Sequence, residues 1–156
     1  MQTFLPYSDL EQSAAVLDMK RLGKQRVETL QIMHAIFDPT YGWQNHPAKK
    51  MWQDHPGYLY VYQVAICNEW TGRGYKDTCL EKTETLIFPH LDALHMEKPE
   101  WFGDERVHLS HRSNLLRKMP EHYGTLFEEG LSPEIEYFWP LEQLVLSWSH
   151  TSVLSK

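Results

Sequence analysis

A carboxylate at position 28 stands among Arg21, Lys24 and Gln25, and this grouping is the part of the chain best suited to chemistry. At about 100° per residue, positions 21, 24, 25 and 28 fall within one roughly 100° sector of a helix, while Leu22, Leu30, Met33, Ile36 and Phe37 gather on the other side. An acid displayed in a basic, polar stripe can act on a sugar while the cations hold the phosphates on either side. The same spacing also suits a solvated face joined by i,i+3 and i,i+4 ion pairs.

Two other stretches carry reactive or binding groups. In Tyr41-Gly42-Trp43-Gln44-Asn45-His46-Pro47, the glycine lets a backbone pass close to a ligand, and Tyr41, Trp43 and His46 offer stacking or wedging surfaces beside Asn45. A core-packing aromatic pair is the alternative. In the run from Ser110 to Lys118, His111, Arg112, Asn114, Arg117 and Lys118 lie near an expected helix start, where side chains and free amides bind phosphate. An ordinary solvated helix end has the same composition. Nine histidines invite a metal, but His108 and His111 lack a Cys or carboxylate set to complete a ligand pattern, so no metal and no cofactor are expected. There is no Gly-rich phosphate loop, nucleophile elbow or dinucleotide fingerprint.

Helices must position these groups. Ser8 followed by Glu11 has capping-box spacing and opens a first helix through about Leu17; Asp18 then caps a second that runs to about Phe37 and carries Glu28. The string Asp38-Pro39-Thr40-Tyr41-Gly42 breaks it. A short helix is expected from Pro47, and a longer one from Pro56 to Gly72 or Gly74, with Leu59, Tyr62, Ala65, Ile66 and Trp70 at a period near 3.6. Further helices are expected over 78–88, stopped by Pro89, and over 110–118. Past Pro120 the glycines and prolines predict an irregular wrap over a helical body, with residues 140–156 an extension that suits either helix or strand.

The fold class expected is therefore all-α: a helical bundle in which residues 1–156 form one domain, since 156 residues that are 42% hydrophobic suffice for one core. No early apolar run reads as a secretory signal and no stretch approaches the ~18 apolar residues of a membrane span, so the expected setting is cytoplasmic with no membrane partner. Two cysteines, Cys67 and Cys79, fit a reducing compartment. Net charge is −6, which argues against nucleic-acid binding by overall charge alone. Its distribution is uneven: residues 20–50 hold six Lys/Arg against two acids, residues 106–118 hold four and no acid, and residues 126–156 hold five acids against one lysine. Two basic stretches in an acidic chain suit an anionic ligand held on one face, or simply a patchy surface.

Leu17-Asp18, Leu22, Glu28-Thr29-Leu30, Gly42-Trp43-Gln44-Asn45-His46-Pro47, Glu69 and Arg73-Gly74-Tyr75 together resemble the pyrimidine-dimer DNA glycosylases, the phage-type endonuclease V family, across roughly residues 1 to 80. The later Trp101-Phe102-Gly103-Asp104-Glu105 and Tyr137-Phe138-Trp139-Pro140 look like a bacterial branch grouped with it. The resemblance implies a metal-independent, all-helical glycosylase with an associated abasic-site lyase activity. A free N-terminal amine would attack the sugar C1′ and form an imine, with Glu28 matching the family's essential acid. An α-amine ordinarily titrates near about 8, so a useful fraction is nucleophilic at neutral pH. The best-known member exposes Thr once its initiator Met is removed, whereas Gln2 keeps Met1 in place here and stands where the family prefers arginine. Met1 would then supply the amine, and the segment before Glu28, longer than in the phage enzyme, must fold back to it. Gln2, Arg21, Lys24, Gln25, Arg26, Tyr41, Trp43, Asn45, His46, His111, Arg112, Asn114, Arg117 and Lys118 would contact duplex DNA carrying a damaged or modified base. Two other functions remain open at this level: a non-catalytic nucleic-acid or partner-binding helical module, and an enzyme acting on a small nucleotide. The oligomeric state is not legible.

Overall fold

The computed structural model describes residues 1–141. Its regular structure is helical, with no strand among the described residues. Helix α1 spans Leu10–Val16 and α2 Met19–Phe37; α3 (Pro47–Trp52) and α4 (Pro56–Gly72) each begin on a proline; α5 spans Cys79–Ile87 and runs into a 3₁₀ turn at Phe88–Ala93; α6 spans Glu105–Lys118 and α7 Pro120–Tyr123. None is long and apolar enough to cross a membrane.

The breaks have local causes. Asp18 caps α2 by accepting from the Arg21 amide, and the Tyr123 hydroxyl donates to the same carboxylate. Burial opposes the charge on Asp18, but Tyr123 and Arg21 outweigh it and hold the carboxyl below its usual range. The His46 ring caps α3, its Nδ1 accepting from the Ala48 amide at 3.0 Å. Gly74, at φ +96, turns the chain out of α4 in a conformation that only glycine adopts freely.

Two expected boundaries move. The cap of α1 is Asp9, not Ser8: its carboxylate accepts from the Gln12 amide at 2.8 Å, and a charged acceptor is favoured at the positive end of a helix. Helix α6 starts at Glu105 behind the Asp104 cap, five residues earlier than expected, so Ser110 to Lys118 lie in its body rather than at its start.

Helix α2 lies at the centre and packs against α3, α4 and α5, while α1 packs on α4. Leu22, Ile32 and Met33 of α2 meet Trp52, Leu59, Tyr62 and Ile66 in one core that also takes in Leu5, Leu17 and Leu115, all fully buried. Each such side chain removed from water contributes ~2 kcal/mol. Helix α4 is enclosed on both flanks, which explains its nearly continuous apolar sequence. After α7 the chain runs without regular structure across α6, as residues 131–139. Most of the expected 140–156 extension lies outside the described residues.

Candidate active site

The first six residues form no helix or strand, yet Gln2 to Pro6 are all buried. A buried amide without a partner costs ~1–3 kcal/mol, so this segment needs acceptors from elsewhere. Side chains provide them. The Gln2 amide donates to Glu28 Oε2 at 3.1 Å, the Thr3 amide to Gln2 Oε1 at 2.9 Å, the Phe4 amide to Gln25 Oε1 at 2.8 Å and the Leu5 amide to His111 Nδ1 at 2.9 Å. The carbonyls are matched as well. Tyr62 Oη lies 2.9 Å from the Phe4 oxygen and 2.8 Å from Gln25 Oε1, His108 Nδ1 is 2.8 Å from the Leu5 oxygen, and Arg112 donates to the Pro6 oxygen at 2.8 Å. Trp52 Nε1 donates to the Thr3 hydroxyl.

The two imidazoles are fixed in opposite senses. Burial, and then His108 beside it, push the His111 pKa down to about 3; the ring is neutral, with Nδ1 free to accept. His108 faces a carbonyl through Nδ1, which therefore carries the proton, while its Nε2 accepts from the Gly103 amide at 3.1 Å.

This arrangement ends at the acid. Glu28 Oε2 accepts both from the Gln2 amide and from Gln25 Nε2 at 3.2 Å, Oε1 lies 3.8 Å from Lys24 Nζ, and the side chain is 17% exposed. Three covalent bonds separate the Met1 nitrogen from the Gln2 nitrogen, which puts the terminal amine within roughly 7 Å of that carboxylate. Met1 and Glu28 line one cleft of about 290 Å³ with Gln2, Phe4, Lys20, Arg21, Lys24, Gln25, Lys118 and Tyr137. The site thus joins an amine and an acid beneath four cationic side chains. Lys118 senses this crowding: burial, then Arg21, Arg117 and Lys24, lower its pKa, with Glu28 opposing. His46 lies within reach of the same charges, since burial and then the positive terminus at residue 1 lower its pKa while Glu28 raises it.

Of the residues singled out in the sequence, Met1, Gln2, Arg21, Lys24, Gln25, Glu28 and Lys118 come together here. Gln25 is not a solvent-facing member of the stripe, however. It is buried and holds Phe4, Tyr62 and Glu28 in register. Arg26 lies off the cleft, its guanidinium 2.7 Å from Asp77 and stacked over Trp70. Tyr41 stacks on His34 with ring centres 5.2 Å apart. On the same loop Asn45 is exposed, and Trp43 is half exposed at a strained φ of +69, edge-on to His46.

The expected phosphate grip along residues 110–118 is largely a correction. His111, Arg112 and Asn114 are buried, and their polar groups serve the protein's own backbone. Arg112 is held by Glu105 and Glu128 as well as by Pro6, and Asn114 Nδ2 donates to the oxygens of Ser110 and Ile135. Arg117 is exposed but leans on Asn114 and the Pro133 oxygen. Sequence reasoning missed Lys20, Phe4 and Tyr137 among the cleft residues. Lys20 stands one residue before the recognised stripe, whereas Tyr137 comes from an aperiodic segment that no pattern ties to α2. Among the described residues, no three ligand-type side chains cluster as a metal site would require.

The family model for pyrimidine dimer DNA glycosylases matches residues 1–83, just over half of the chain, and this span includes Met1, Glu28 and the 41–47 loop. No curated protein matches the chain. No solved structure matches it either. On the strength of the family match, which covers both the amine and the acid of the cleft, the chain belongs to the pyrimidine dimer DNA glycosylase family.

Proposed function

We propose that this cleft excises a damaged or modified pyrimidine from duplex DNA and then nicks the resulting abasic strand, with the Met1 amine as nucleophile and Glu28 as the acid that serves it. One observation carries the reading: the hydrogen-bonded anchoring of residues 2–6 terminates on Glu28, so the terminus is fastened beside the acid instead of fraying as chain ends ordinarily do.

In the proposed reaction the neutral amine attacks C1′. The glycosidic C1′–N bond breaks, and the base leaves with the bonding pair and takes up a proton. Opening of the sugar ring, with a proton delivered to O4′, yields an iminium between Met1 and C1′. A base then removes a C2′ proton, and β-elimination expels the 3′ phosphate; water finally hydrolyses the imine. Glu28 stabilises the cationic sugar and shuttles the O4′ and C2′ protons. Lys20, Arg21, Lys24 and Lys118 supply the phosphate contacts around the cleft. The target base must leave the stack, and Trp43, aromatic and half exposed on the loop that holds His46, is the wedge for that step.

Borohydride trapping tests this on two duplexes, one with a single thymine dimer and one with an abasic site. The unmodified chain should be trapped on both. Glu28→Gln should be trapped far more slowly, and a chain with residues appended before Met1 should not be trapped at all. Trapping that survives the extension transfers the nucleophile to a lysine of the cleft, Lys24 or Lys118. No trapping on either duplex, with duplex affinity retained in Glu28→Gln, supports a non-catalytic binding module instead.

A further inference from the structure

An acid that must take up a proton and return it needs an oxygen free to carry it, and the two oxygens of Glu28 are not alike. Oε2 takes two donors, the Gln2 amide at 3.1 Å and Gln25 Nε2 at 3.2 Å. Oε1 takes no hydrogen bond among the described residues; its ion pair with Lys24 spans 3.8 Å, and the Lys24 side chain is 63% exposed. A proton on Oε2 would point into two N–H groups already aimed at that oxygen, whereas Oε1 has room for one.

This asymmetry is set from behind the acid. Gln25 is 1% exposed, and both polar atoms of its side chain are engaged. The Phe4 amide, 2.8 Å away, can only donate, so the atom it meets is the amide oxygen, and Nε2 is left for Glu28. The Tyr62 hydroxyl, fully buried, closes on the same oxygen at 2.8 Å. One side chain thus grips the segment that carries the amine at one atom and the acid at the other. Asparagine is a methylene too short for that span, and glutamate has the reach but presents an oxygen where Glu28 needs a donor.

We propose that Gln25 is the positioning residue of the amine–acid pair: its amide oxygen registers the Met1 segment through Phe4, its amide nitrogen saturates Glu28 Oε2, and Glu28 Oε1 is left as the oxygen that exchanges protons with the sugar. Oε1 then hands a proton to O4′ as the ring opens and takes the C2′ proton in the elimination. The inference rests on the glycosylase reading above and deepens it, assigning both proton transfers to one oxygen and their alignment to a neutral amide outside the reaction itself.

Gln25→Glu tests this because its fit depends on one proton. Two carboxylates this close share a proton, and while it is held the new acid can donate to Glu28 and accept from Phe4 as the amide does; once it is lost, two like charges face each other. Around Glu28 stand the Met1 amine, the cations of α2, His46 ahead of α3, Tyr62 on α4, Lys118 on α6 and Tyr137 on the 131–139 strap. All are common to both chains, so the ratio of variant to unmodified rate cancels their own titration. Single-turnover trapping on the abasic duplex, with cyanoborohydride so that mildly acidic buffer is usable, is the readout. At about pH 5.5 the variant should be trapped within about threefold of the unmodified chain, and at about pH 8.5 about thirtyfold more slowly. Gln25→Met, which has neither end of the amide, should be trapped about a hundredfold more slowly at both pH values. If it fails to fold, Gln25→Glu carries the test alone. A Gln25→Glu ratio that is the same at both pH values would overturn the assignment: near one, position 25 has no bearing on the acid; low throughout, Gln25 merely holds the fold. If the unmodified chain is not trapped, the glycosylase reading itself is what fails, a result visible without any variant.

Discussion

Two stretches of this chain carry the same local excess of four positive charges, residues 20–50 and residues 106–118, and the fold uses them in opposite ways. On α2, Lys20, Arg21 and Lys24 rim an open cleft. On α6, Arg112 is enclosed by Glu105, Glu128 and the Pro6 carbonyl, and its neighbours His108, His111, Ser113 and Asn114 are buried. The difference follows from what lies on each helix. Two irregular segments, residues 2–6 and 131–139, rest on α6, and neither can satisfy its own amides and carbonyls. Polar side chains of α6 do so for Leu5, Pro6 and the strap, while Glu28 and Gln25 of α2 take the amides of Gln2 and Phe4. A basic run in a sequence therefore marks a ligand surface only where its cations are not taken up by the protein's own carboxylates and carbonyls, as Arg112 is.

The comparison can be broken at either helix. The largest effect is expected at Glu28, where Glu28→Gln should lower single-turnover excision by about a thousandfold, ~4 kcal/mol of barrier, while urea unfolding barely moves. Unchanged turnover would remove α2 from the chemistry. Next is Arg112→Met, which leaves the Pro6 carbonyl and two carboxylates without their partner. It should cost about 3 kcal/mol in urea unfolding yet leave the salt dependence of duplex binding as it was. A flatter salt dependence with intact stability would make Arg112 a phosphate ligand after all.

Acid provides a graded version of the same test. His111 is depressed in the folded chain, so the unfolded chain binds the extra proton. Its stabilisation is complete above the ordinary histidine value of about 6.5 and is lost as pH falls toward about 3. Stability measured by urea titration should decline by up to about 1.4 kcal/mol per pH unit from this group within that window, and His111→Gln should flatten the decline. An identical pH profile in the variant would count against the neutral imidazole acceptor. Smallest is Lys24→Ala: duplex affinity should drop about threefold and the log–log salt slope by about one, with melting temperature unaltered.

How much of this was legible in the sequence depends on who satisfies whom. Helices α2, α3 and α4 were readable because Asp18, Pro47 and Pro56 mark their starts and apolar side chains recur on their buried faces. The start of α6 was not, since the face it buries is made of histidine, serine, asparagine and arginine, which a hydrophobic period does not register. Met1 and Glu28 were singled out by residue type and family likeness, and the fold sets both on one cleft. Gln25 was misplaced because angular position on a helix says nothing about a main-chain amide arriving from residue 4. Tyr137 was invisible, being brought to the cleft by bonds between serine hydroxyls and an aperiodic strap.

The anchoring of residues 2–6 also has a consequence for the order in which the molecule becomes complete. Both hydrogen bonds of the Leu5 backbone and that of the Pro6 carbonyl go to α6, across sequence separations of 103 to 106. A nascent chain that has emerged only through residue 83 therefore has its acid in place on α2 but nothing to fasten Leu5 and Pro6. Gln2 and Phe4 can already be held by α2 and Tyr62 at that length, whereas Leu5 and Pro6 gain their partners only once synthesis has passed position 112.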